Sequence, residues 1–140
     1  MATRNRIKVL FFGVTAAWVG LIADEQHSTQ SRIALARDLP AMQSEHAKAT
    51  LVEVTYPPGA SSVSHTHPCP VIGYVLNGAI RFQVNSDPEV IFHAGESFYE
   101  PANAIHKVSA NASSTKDARF LAFFVCDGDR QLSKPVALAR

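Results

Sequence analysis

Three histidines and one glutamate set the chemistry this sequence could perform. His65 and His67 flank Thr66. In an extended chain, residues i and i+2 point to the same face, so the two imidazoles can reach one ion. Imidazole suits zinc, iron, nickel and copper, whereas magnesium and calcium prefer oxygen. A His-x-His pair alone describes two surface histidines equally well, so its surroundings must decide. His106 lies further along, five residues after Pro101, and Glu100 immediately precedes that proline. By strand parity Glu100 shares a face with Phe98, making it a candidate fourth ligand or general acid/base. The alternative is a surface carboxylate paired with Arg81 or Lys107.

The elements that must position these residues read as short strands separated by turn signals. Ile33 to Ala36 is a weak first strand. Thr50 to Tyr56 (TLVEVTY) is stronger and stops at Pro57-Pro58-Gly59, which cannot continue a ladder. Val71 to Leu76 and Ala79 to Val84 flank Asn77-Gly78, the strongest short hairpin signal. Glu89 to His93, Ser97 to Glu100 and Ile105 to Ser109 follow. Phe120 to Val125 (FLAFFV) is apolar throughout and is expected to be buried on both faces. Phe82, Phe98, Phe120, Phe123 and Phe124 are expected to build the core, and Tyr74 and Tyr99 to pack as buried aromatics. No convincing helical period follows Ala23. The fold class is therefore all-β, an antiparallel sandwich or small barrel.

Spacing places the histidines in two constellations, Gly59-x5-His65-x-His67 and Gly95-x5-Pro101-x4-His106. These resemble the two conserved motifs of the cupin superfamily, whose barrel is an antiparallel double-stranded β-helix, or jelly roll. The family's first motif runs Gly, five residues, His-x-His, three or four residues, Glu, six residues, Gly. Its second runs Gly, five residues, Pro-x-Gly, two residues, His, three residues, Asn. Gly59, His65, His67, Gly78, Gly95, Pro101 and His106 all fall in place. The departures are informative. The family's Glu should stand at position 71 or 72, occupied here by Val71 and Ile72. The second-motif Gly is Asn103, which tolerates a left-handed backbone. The closing Asn arrives one place late, as Asn111.

The resemblance implies one divalent transition metal (Fe, Mn, Ni, Cu or Zn) on His65, His67 and His106, with an open coordination position. Three neutral imidazoles leave an ion electropositive, able to activate water or bind oxygen and a chelating substrate. The first functional expectation is a quercetinase-like, small-molecule dioxygenase. The second is a non-catalytic cupin that binds a small ligand or metal. The third is an isomerase or lyase using Glu100. Paired edge strands would give a homodimer. His27, His46 and His93 lie outside the motifs and are expected at the surface. Glu96 is expected to serve a turn, and Asn111-Ala112-Ser113 is a glycosylation sequon.

The 140 residues suffice for one domain, with 46% hydrophobic and 18% charged. No residue from Val9 to Ala23 is charged, and Arg4, Arg6 and Lys8 precede that run. This matches a signal peptide over residues 1–23, since a membrane span needs roughly 20 apolar residues. A buried first element or an uncleaved anchor is the alternative. The remaining organisation is a linker at 24–31, a barrel at 32–135 and a tail at 136–140. The mature chain would be exported, periplasmic or extracellular. It would carry 10 basic and 12 acidic residues, a net of −2, too little positive charge for nucleic acid. No membrane association is expected once the signal is removed. Cys69 and Cys126 could pair in an oxidising compartment, or Cys69 could lie near the metal. No phosphate-cradling loop, GxSxG or paired CxxC competes.

Overall fold

The computed structural model describes residues 31–43 and 46–136. The expected export segment and His27 lie outside these residues. The strands are β1 (Ala47–Tyr56), β2 (His65–Thr66), β3 (Val71–Asn77), β4 (Ala79–Val84), β5 (Val90–His93), β6 (Ser97–Glu100), β7 (Ile105–Asn111), β8 (Ala118–Asp127) and β9 (Lys134–Pro135). All pairings are antiparallel. One sheet has the order β1-β8-β3-β6 and the other β5-β4-β7-β2-β9. Two facing antiparallel sheets bury alternate residues between them, the all-β jelly-roll expected from the strand pattern. Among the described residues no helix is long and apolar enough to cross a membrane.

The β3–β4 hairpin turns at Gly78, with φ +73°. A Cβ there would sit 2.7 Å from the Asp117 carbonyl oxygen, so both backbone and space require glycine. The core holds Val71, Val75, Ile80, Phe82, Phe98, Phe120 and Phe124. Gly73 makes room for Phe98, its cross-strand partner, whose ring occupies the space a Cβ would take.

Four expectations are corrected. Ile33 to Ala36 forms no strand, and Ile33 is 85% exposed. Its segment is instead held by side chains: Arg32 donates to Tyr74 Oη and the Gly95 carbonyl, and Arg37 lies over the Tyr99 ring. Phe120 to Val125 is not buried on both faces, because among the described residues the β1-β8-β3-β6 sheet is covered on one side only. Phe120, Ala122 and Phe124 point inward; Phe123 points out, 37% exposed, opposite Leu51. Phe123 is therefore not core. Tyr74 and Tyr99 alternate with buried residues and are only half-buried, so neither is a buried core aromatic.

Candidate metal centre and cavity

The site is assembled where short strand β2 lies between β7 and β9. His65 is the cross-strand partner of His106 and, on its other side, of Pro135. His67 follows directly after β2. Its carbonyl accepts the Asn103 N–H at 2.7 Å. Asn103 has φ +62°, the left-handed conformation anticipated for the residue replacing glycine. The second-motif turn thus holds the first-motif histidine.

Two imidazoles have their tautomer set by backbone carbonyls. His65 Nδ1 lies 2.7 Å from Val63 O, and His67 Nδ1 lies 2.6 Å from Leu132 O. A carbonyl only accepts, so each Nδ1 donates and each Nε2 keeps its lone pair. Burial, the largest influence, holds the His65 pKa below the ordinary imidazole range, against the opposing pull of the Val63 carbonyl. The ligand atoms of His65, His67 and His106 all lie within 4.8 Å of one another.

Glu100 points inward from β6 and is 3% exposed. Its Oε2 lies 3.1 Å from His106 Nδ1 and 3.6 Å from His67 Nε2. The expected alternative partner Arg81 instead pairs with Glu89 at 2.6 Å. Glu100 Oε2 and both ring nitrogens of His106 are buried without an aligned hydrogen-bond partner. Buried polar groups are nearly always satisfied, so these three orphans mark a place built for something else.

A cavity of about 460 Å³ opens from this cluster. Val52, Val54, Phe120, Ala122 and Phe124 give it an apolar wall, and Leu132, Ser133 and Pro135 of the C-terminal segment close one side. Such a volume suits a small molecule. Adjoining this wall, where the Tyr56 ring packs 5.8 Å from Phe120, lies a group of three hydroxyl residues that sequence reasoning missed. Tyr56 Oη contacts Ser62 Oγ, and lies 2.9 Å from Ser109 Oγ. Ser109 and His106 are three residues apart yet both are buried. The reason is a β-bulge: Gln83 pairs with Val108 but Val84 pairs with His106, leaving Lys107 unmatched.

Cys69 and Cys126 form a disulfide, Cα to Cα 5.1 Å. Its sulfur is therefore spent, and Cys69 is no ligand. Asn111 is buried, its amide donating to the carbonyls of Tyr56, Pro57 and Lys116; the sequon asparagine is a structural tie. Glu96 accepts the His93 N–H in its turn at 2.6 Å, as expected. His46 and His93 are exposed.

The Cupin domain family matches residues 52–124. The chain belongs to the cupin family. No functionally curated protein matches this cupin's sequence. Solved structures do. A DMSP lyase aligns at 19% identity and TM-score 0.56, over 64% of this chain and 44% of its own. The Mn(II)-containing oxalate decarboxylase of Bacillus subtilis aligns at 26% identity and TM-score 0.55, over 63% and 24%. An oxalate oxidase aligns at 24% identity and TM-score 0.50, over 54% and 41%. This cupin spans less than half the length of each.

Proposed function

We propose that this cupin is a metal-dependent, dioxygenase-like enzyme for a small organic molecule. His65, His67 and His106, joined by Glu100, would hold one divalent transition metal. The observation that carries the reading is the buried, orphaned Glu100 oxygen aimed among three imidazoles. Among the described residues its ion-pair partners are His67 and His106 alone, and burying a carboxylate without a cation is costly. Glu100 Oε2 stands 3.1 Å from His106 Nδ1 and 3.6 Å from His67 Nε2, so one cation among them would offset its charge.

A divalent ion there would supply Lewis acidity and, if redox-active, a meeting point for dioxygen and a substrate oxygen. The chain's own residues do the rest. Val63 and Leu132 carbonyls keep two Nε2 lone pairs aimed inward. The aromatic and aliphatic wall excludes water and takes the substrate's apolar body. Glu100 offsets positive charge. The likeness to a manganese decarboxylase supports a divalent metal in this barrel. Stoichiometric metal in the purified protein, lost in His67→Ala, together with oxygen uptake on small ketone or diketone substrates, is the expected result. Metal without oxygen uptake or other turnover would point to the non-catalytic binding alternative.

The same orphan oxygen supports a second reading, proton transfer by Glu100 in a lyase or isomerase. Glu100→Gln separates the two: a ligand's loss weakens metal binding, whereas a base's loss leaves metal affinity unchanged and stops turnover.

The disulfide supports an oxidising compartment, in keeping with export of the mature chain. A homodimer is also proposed. The exposed pair Leu51 and Phe123 on the outer sheet face supports it, and a single-chain mass by light scattering would contradict it.

A further inference from the structure

We infer that Tyr56, Ser62 and Ser109 form a second recognition point in the cavity, one that takes a neutral oxygen acceptor of a largely apolar substrate. The inference deepens the proposed function, since it uses the same cavity as the substrate site.

Three hydroxyls carry three donor hydrogens, and each can also accept. Within the group there are two contacts, Tyr56 with Ser62 and Tyr56 with Ser109. Two contacts consume two hydrogens at most. Neither serine hydroxyl makes another hydrogen bond among the described residues, and all three side chains line the cavity. One O–H is therefore left without a partner inside the group. With Ser62 donating to Tyr56 and Tyr56 to Ser109, the spare O–H belongs to buried Ser109, where an unmet donor is costly; in the reverse direction it turns to water at the exposed Ser62. A ligand oxygen beside Ser109 favours the first arrangement.

The charge of the lining decides which oxygen. Among the described residues the cavity wall contains no lysine and no arginine, and its one acid, Glu100, sits at the histidine cluster. A carboxylate at the hydroxyl end would lose water without gaining a cation, a poor exchange in an apolar surround. A ketone, ester or ether oxygen is satisfied by one or two hydroxyl donors. The substrate class that fits is an apolar molecule with a neutral oxygen at this end, its reacting end lying toward the histidines. A small dianion such as oxalate does not fit that description.

The bulge at Lys107 gives this arrangement its structural origin. It turns Ser109 inward on the same strand that presents His106. Recognition point and proposed metal ligand are thus fixed to one element, so neither moves without the other.

The test uses two probes of one size, acetophenone (neutral carbonyl) and benzoate (carboxylate), titrated by NMR into the full protein. Each is titrated into metal-loaded and chelator-treated samples of the wild type, Tyr56→Phe and Ser109→Ala. Tyr56→Phe keeps the ring that packs 5.8 Å from Phe120, and a melting curve checks each variant's fold. Acetophenone should bind both wild-type samples, and each variant should weaken it about three- to tenfold. Benzoate should bind only the metal-loaded protein, with an affinity the variants leave unchanged. Unchanged acetophenone affinity in both variants overturns the inference. So does failure of acetophenone to bind, or equal binding of benzoate to the chelator-treated wild type. Metal content of the same samples is read separately. Protein that holds no metal yet binds acetophenone through Tyr56 would overturn the metal reading and leave this inference standing.

Discussion

Glu100 on β6 is the cross-strand partner of Val71 on β3. Val71 occupies one of the two places, 71 or 72, where the cupin motif can carry its glutamate, and it is fully buried. Opposed residues in an antiparallel pair hold their Cβ atoms about 4.5–5.5 Å apart. The carboxylate missing from the first motif therefore returns one strand away, at nearly the same depth in the barrel.

This relationship predicts a swap. Glu100→Val should lower metal affinity about tenfold or more, the scale on which supporting groups act. Adding Val71→Glu should recover much of that loss, because the carboxylate then comes from the neighbouring strand. Calorimetric titration with manganese and zinc checks both. A double variant no better than Glu100→Val would show that Glu100 acts elsewhere than at the ion.

The C-terminal segment should matter to the site although it contributes no ligand. Leu132 O fixes His67 Nδ1, and β9 pairs with the strand carrying His65. Ending the chain after Arg130 should cost about 10- to 100-fold in metal affinity, as loss of a hydrogen bond to a ligating histidine does. The same titration on the shortened chain reads the effect. Unchanged affinity would mean the histidines are held from β7 and the Asn103 turn alone.

The disulfide closes a sequence separation of 57 residues. In the chain-entropy account such a loop stabilises by about 4 kcal/mol. Cys69→Ser with Cys126→Ser should therefore lower the free energy of unfolding in urea by roughly that amount, with reductant having no further effect on the variant.

Acid should destabilise the metal-free protein. Burial lowers the His65 pKa from its ordinary 6.5, so below that pH the unfolded chain binds the proton more readily than the folded one. Stability is then flat above about pH 7 and falls as pH drops through the folded value. Melting temperatures of chelator-treated protein should show this fall, and His65→Asn should flatten it.

Much of the fold could be read along the chain. The alternation in Ile80, Phe82 and Val84 sets the inward face of β4, and Asn77-Gly78 sets its turn. The histidine spacing foretold a cluster that the register of β2 and β7 brings together. What stayed hidden depended on partners. Phe123 is as apolar as its neighbours, and it is exposed because among the described residues no layer covers its side of the sheet. The two-residue strands β2 and β9 are too short to carry a period. Ser109 is turned inward by a bulge that simple alternation misses, and Leu132 acts through a backbone carbonyl, which no side-chain pattern announces.

The orphaned atoms of Glu100 and His106 are proposed to surround a metal ion. Elemental analysis of protein purified without added metal or chelator tests it most directly, run beside His106→Ala. About one divalent transition metal per chain, absent from the variant, is the predicted result. No bound metal, even after manganese, iron, nickel, copper and zinc are each added back, would contradict the claim.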